Sequence, residues 1–166
     1  ILGDGSVVTW GDARCGGSSR VVQNQLKDVR QIQAAQSAFA AVLADGSVVS
    51  WGEPEYGGDS SAVQDHLKNV QQIQASGGAF AAICGDGTVV TWGHSGQGDD
   101  PCDFGGDSSA VQHRLKNVQQ IYASSRAFVA VLGDESVVTW GEARSGGDSS
   151  AVQEQLKNVQ QIQASA

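Results

Sequence analysis

The eight residues DGSVVTWG at 4–11 return as DGSVVSWG at 45–52, DGTVVTWG at 86–93 and DESVVTWG at 134–141. The copies start 41, 41 and 48 residues apart, and two further blocks keep their register. One block reads VVQNQLKDVRQIQAA, AVQDHLKNVQQIQAS, AVQHRLKNVQQIYAS and AVQEQLKNVQQIQAS; the other reads AFAAVL, AFAAIC and AFVAVL. A period of this length marks repeated supersecondary units, none of which can bury its apolar face alone, so neighbours must stack into one continuous core.

The repeats run over about 4–44, 45–85, 86–133 and 134–166, the last taken together with 1–3, as a single repeat domain. The long third period holds an insertion, HSGQGDDPCDF (94–104), where the second repeat has only EPEY (53–56). The chain starts and stops out of phase with its own repeat. The expectation is therefore either a piece of a longer array or a four-bladed ring closed by strand exchange.

Within a repeat, FAAVLADGSVVSW (39–51) places Asp-Gly between two Val-rich halves, a strong hairpin signal. Counted as a two-residue turn, it pairs Leu43 with Val48, Val42 with Val49 and Ala40 with Trp51. Glu135 replaces the turn glycine in the fourth copy and weakens the turn there. The middle block is ambiguous. Val63, Leu67, Val70 and Ile73 have helical spacing, whereas VQQIQAS also suits a strand entered after Lys68-Asn69. The reading adopted is a short helical turn over SSAVQDHL, capped by Asp59 or Ser60, followed by a strand from Val70 to about Ala75. Each repeat then has about three antiparallel strands and one short helical turn, an all-β architecture.

The residues DGSVVTWGDARCGG, followed by VVQNQLKDVRQIQAAQSAFAAVLADG, resemble the regulator-of-chromosome-condensation repeat in a short form. That pattern runs from a D-G hairpin through an aromatic-Gly pair and a Gly-containing turn to a V-x-x-V/I strand, and the resemblance covers all four copies. It implies a β-propeller, usually seven-bladed, present here as a compact ring or as an arc. The Trp here is followed by Gly, so the Trp-Asp pair of WD-repeat propellers is absent. Trp10, Trp51, Trp92 and Trp140 are expected in the blade core. The family's light-sensing G-W-R-H-T motif has no counterpart, since the matching positions read AAQSAF, ASGGAF and ASSRAF. No exchange residue of the family's GTPase regulators can be mapped.

The formal net charge of −8, from ten Lys and Arg against eighteen Asp and Glu, opposes the basic patch that a polyanion binder needs. Nucleic acid is not an expected partner. No apolar run reaches the length of a membrane span, although docking on a membrane complex stays open. Cys15, Cys84 and Cys102 have no paired spacing, so a disulfide framework is not expected and a reducing intracellular compartment is favoured. Cys84, which stands where other copies have Leu2, Leu43 and Leu132, reads as a small buried apolar residue.

No catalytic constellation emerges. His66 and His113 stand beside a polar strip and read as solvated. His94, Asp99, Asp100, Cys102 and Asp103 crowd the insertion, yet neither the calcium-loop pattern nor paired Cys/His spacing is met, so neither metal nor cofactor is expected. The expectation is a non-enzyme. Lys27, Lys68, Lys116 and Lys157 read as a solvated ring guarding strand edges.

The copies serve as their own comparison. Change concentrates at DARC/EPEY/HSGQGDDPCDF/EARS, at NQ/DH/HR/EQ and at QS/GG/SR, while V-V-x-W-G and L-K-x-V barely vary. Propeller loops gather on the rims, where a rigid scaffold displays variable residues. The candidate partner-binding residues are therefore Arg14, Glu53, Tyr56, His94, Gln97, Asp99, Asp100, Asp103, Phe104 and Arg144. The functional expectation is a protein–protein interaction scaffold or accessory subunit of a larger assembly. Two alternatives are a regulatory propeller domain of a ubiquitin ligase or small-GTPase regulator, and an inhibitor or small-ligand binder.

Overall fold

The computed structural model describes residues 1–96 and 102–165. Among these residues are nine strands in three separate sheets of three, ordered β1-β2-β3, β4-β5-β6 and β7-β8-β9, with every neighbouring pair antiparallel. The strands are β1 (Val29–Ala34), β2 (Ala38–Leu43), β3 (Val48–Gly52), β4 (Gln72–Ala75), β5 (Ala79–Ile83), β6 (Val89–Gly93), β7 (Val118–Ala123), β8 (Ala127–Leu132) and β9 (Val137–Gly141). First strands lie beside first strands, β1 against β4 and β4 against β7, so the sheets stand side by side as blades. Each blade straddles a sequence repeat. Its first two strands close one copy, and its third strand opens the next.

The hairpin register differs from the expected one by a residue. Phe39 faces Trp51, Ala40 faces Ser50 and Val42 faces Val48. The loop is longer than a two-residue turn, because Leu43 N–H donates to Ser47 O and Gly46 N–H donates back to Leu43 O. Gly46 takes a left-handed backbone (φ 79), the conformation that closes a three-residue hairpin loop. Asp45 Oδ1 accepts from both Ser47 N–H and Ser47 Oγ–H, and Asp4, Asp86 and Asp134 do the same in their own turns. Glu135 holds the glycine position at φ 64, a conformation strained for an L-residue.

The middle strand of the central sheet, β5, is buried on both faces, which explains why its apolar pattern lacks alternation. Ala38, Ala40, Val42 and Val48 of the first blade join Leu67, Val70, Ile73, Phe80 and Trp92 of the second in one core cluster. Ala79, Ala81, Ile83 and Val89 pack in the same way with Leu115, Val118, Ile121, Phe128 and Trp140. Small residues thus do meet large ones, but between blades and not across the hairpin. Cys84 is buried in the first of these clusters, as expected, and its thiol donates to His66 O.

The middle block resolves into a 3-10 turn and then a strand. The turn covers Ser61–Val63 in the second repeat. Asn69 then adopts φ 49, as Asp28, Asn117 and Asn158 do at equivalent places, and this ends the helical path. Asp59 Oδ1 accepts from Ser61 N–H at the turn's start. A part-buried polar relay centred on the buried Ser60 fixes the turn to its blade: Ser50 Oγ–H donates to Ser60 Oγ, Ser60 to Gln64 Oε1, and the Gln64 amide to Val48 O. The same relay recurs through Ser19 and Gln23, Ser108 and Gln112, and Ser149 and Gln153.

Candidate functional site

The tryptophans divide into two kinds. Trp51, Trp92 and Trp140 stack on Phe39, Phe80 and Phe128 of the adjoining strand, each with ring centroids 5.3 Å apart. Each indole N–H donates to a glycine carbonyl 35 residues upstream, at Gly16, Gly57 and Gly105. These glycines are left-handed, and a Cβ on any of them would lie 2.5 or 2.6 Å from the Phe ring. The three tryptophans are blade core, as expected. Trp10, expected in the core, is instead 85 % exposed, because no middle strand among the described residues lies beside it.

Two of the three variable patches share one rim. The turns between first and second strands are chained, with Gln36 N–H donating to Gly77 O and Gly77 N–H to Ser125 O. The segments leaving each blade are tied to the same turns, since Glu53 N–H donates to Ser37 O, His94 N–H to Gly78 O and Glu142 N–H to Arg126 O. The third patch, at Asp65-His66, lies with Asp86 toward the D-G turns. His66 and His113 are exposed, and the four lysines are solvated in the turns before each first strand.

On the shared rim the structure gathers Tyr56, His94 and Phe104. Tyr56 and His94 stack with centroids 6.1 Å apart, Phe104 meets His94 edge-on at 5.5 Å, and Tyr56 lies 6.2 Å from Phe104. The Arg126 guanidinium sits 5.5 Å from the Phe104 centroid, within cation–π range. It also donates to Glu142 Oε1 at 3.3 Å. The Ser145 hydroxyl, and after it Arg126, hold the Glu142 carboxyl below its usual range. Phe104 is buried against Gly77 and Gly78, where a Cβ would come within 2.9 Å of its ring. The Gly-Gly pair of the second repeat is therefore the seat of the insertion's aromatic anchor.

Asp103 is half-buried; its Oδ1 accepts from Gly105 N–H, and its backbone bridges Ser95 across the base of the insertion. Glu53 is half-buried at the start of the turn that carries Tyr56. Arg14 is exposed and paired with Asp12 at 2.9 Å. Arg144 is exposed beside a groove around Gly146, and its charge acts on Glu142, the partner of Arg126. Gln97, Asp99 and Asp100 lie outside the described residues. Among the described residues no three His, Cys, Asp or Glu side chains converge as a metal site, and no helix is long and apolar enough to cross a membrane. Arg126 and Glu142 were missed by the sequence reading, although the SR pair at 125–126 lay in a patch marked as variable.

No protein-family model matches the sequence, and no curated protein does. Solved structures do. Prp20p from Saccharomyces cerevisiae, described together with its binding to Gsp1p and histones, aligns over 80% of this chain and 40% of its own, with 15% identity and a TM-score of 0.51. Human WBSCR16 aligns over 68% of this chain and 34% of its own, with 23% identity and a TM-score of 0.48. The CRINKLY WD40 ectodomain of the Arabidopsis thaliana receptor kinase ACR4 covers 68% and 38%, with 19% identity and a TM-score of 0.47. The chain thus spans between about a third and two fifths of these proteins' lengths. At such identities the likeness to Prp20p establishes the fold alone, and that fold is the β-propeller of the regulator-of-chromosome-condensation type.

Proposed function

We propose that the chain is a non-catalytic protein-interaction scaffold that engages a protein partner through the rim carrying Tyr56, His94, Phe104 and Arg126. One observation carries the reading. In an array whose frameworks are nearly identical, the single length change enters this rim, and the rim's own turn is rebuilt as Gly77-Gly78 to seat Phe104. A rigid scaffold that presents Tyr56, His94 and Arg126 over the buried Phe104 suits protein recognition, where aromatic and Arg side chains supply most of the binding energy. The binding of Gsp1p and histones described for Prp20p supports a binding role for a propeller of this type. The acidic composition favours a protein partner over nucleic acid.

The test is affinity capture from native lysate with the whole chain and two variants of unchanged melting temperature. Arg126→Glu alters the proposed rim, and Lys116→Glu alters the opposite one. The expected result is a protein retained by the wild type and by Lys116→Glu but lost from Arg126→Glu. Retention of the same set by both variants would refute the assignment.

A further inference from the structure

The Arg126 guanidinium is only partly engaged. Such a group carries five N–H donors in a fork that matches both oxygens of a carboxylate. Arg14 makes that match: its Nε and a terminal amino group donate to the two oxygens of Asp12 at 3.3 and 2.9 Å. Among the described residues the Arg126 side chain makes one such bond, from Nη1 to Glu142 Oε1 at 3.3 Å, and it stays 39 % exposed.

Glu142 does not rely on that bond. The Ser145 hydroxyl donates to its other oxygen at 2.5 Å and is the foremost cause that holds the carboxyl below its usual range. Arg126 and Arg144 both act on this carboxylate, so two positive groups share one negative group. Phe104 links them to the aromatic group, with Arg126 5.5 Å and Tyr56 6.2 Å from its centroid. Those distances hold the guanidinium and the Tyr56 ring within about 12 Å of each other, a span that about four residues of extended chain cover.

We infer, resting on the protein-binding reading of this rim, that its ligand is an extended segment of the partner carrying an Asp or Glu within about four residues of an aromatic or large aliphatic side chain. The partner's carboxylate takes both arms of the Arg126 fork, the geometry that makes Arg the preferred reader of carboxylates. The apolar side chain rests on Tyr56 and His94. Glu142 is an internal stand-in for the incoming carboxylate. It fills one arm of the fork in the free protein, and its bond to Ser145 keeps it in place when Arg126 turns to the partner. The two residues therefore act with opposite sign: loss of the Glu142 charge strengthens binding, and loss of the Arg126 charge weakens it. The net charge of −8 repels long acidic tracts, so a lone carboxylate in an otherwise neutral segment is the better match.

The test is selection of a phage-displayed library of random peptides on the whole chain, followed by fluorescence anisotropy of the commonest selected peptide. The expected selection is enriched in Asp or Glu close to an aromatic or aliphatic residue, and Arg126→Glu reverses the enriched charge to Lys or Arg. The selected peptide should bind Glu142→Gln about threefold tighter and Arg126→Gln about tenfold weaker than wild type, with Lys116→Glu unchanged; melting temperatures check that all variants stay folded. Three outcomes overturn the inference: no acidic enrichment on the wild type, an unchanged charge preference on Arg126→Glu, or Glu142→Gln binding no tighter than wild type. Lysate capture that still depends on Arg126 would then leave the rim assignment standing, whereas capture indifferent to Arg126 removes both.

Discussion

Trp10 and Trp92 occupy the same position of the same eight-residue motif, yet the structure assigns them opposite energetic roles. Trp92→Ala removes a side chain that is 4 % exposed, stacked on Phe80 at 5.3 Å and bonded to Gly57 O at 3.0 Å. Truncating a buried aromatic to Ala costs about 3–5 kcal/mol. The upper part of that range applies, because the buried Gly57 carbonyl loses its partner and an orphaned acceptor costs about 1–3 kcal/mol. Trp10→Ala deletes an exposed ring, and surface changes stay within about 0.5 kcal/mol. For a chain of this length each kcal/mol moves the melting temperature by about 2–4 °C. Thermal unfolding followed by far-ultraviolet circular dichroism should show Trp92→Ala lowered by about 8–20 °C and Trp10→Ala by no more than about 2 °C. Trp92 lies in the core shared by the first and second blades, so its loss weakens that interface. Equal shifts for the two variants would refute the reasoning, since they would mean that Trp10 is buried or that the stack carries no load.

Glu135→Gly should raise the urea midpoint, corresponding to about 0.5–1 kcal/mol, because it relieves a left-handed L-residue. Gly78→Ala should destabilise by about 1–3 kcal/mol through overpacking against Phe104. That cost should largely vanish in a Phe104→Ala background, a coupling read directly from a double-mutant cycle. Ser60→Ala should cost about 0.5–1.5 kcal/mol by removing the hydrogen bonds to Ser50 and Gln64, as chemical denaturation would show. The turn carboxyls Asp4, Asp45, Asp86 and Asp134 are held below their ordinary value of 3.8 by the following Ser or Thr hydroxyl and N–H. Their folded values are depressed, so their contribution is complete above 3.8 and is lost as pH falls through the folded values. Melting temperature measured against pH should show no change from these groups above about pH 5 and a decline below pH 3.8; replacing the four with Asn should flatten that decline.

The repeat, its all-β content and the strand after Lys68-Asn69 were legible because period, β-branched runs and turn residues all agree on them. The register was not. Asp-Gly serves a three-residue loop as well as a two-residue one, and a one-residue slip normally betrays itself by exposing apolar groups. Here β5 is buried on both faces, so the pattern carries no parity signal. The Ser–Gln relay was visible as invariant polar positions in all four copies, but polarity alone reads as surface. The approach of Tyr56, His94 and Phe104 was partly legible, since all three stood in variable segments. The burial of Phe104 was written in Gly77-Gly78, a pair that sequence alone presents as a loosened turn.

The indole-to-carbonyl bond spans 35 residues in every complete blade, whereas the stretch from each Trp to the next such glycine ranges from Trp51–Gly57 to Trp92–Gly105. Length is rationed on one side of the bolt and unregulated on the other. Foreign sequence can therefore enter between the residue after each Trp-Gly pair and the next such glycine, as the insertion after His94 does while the His94 N–H keeps its bond to Gly78 O.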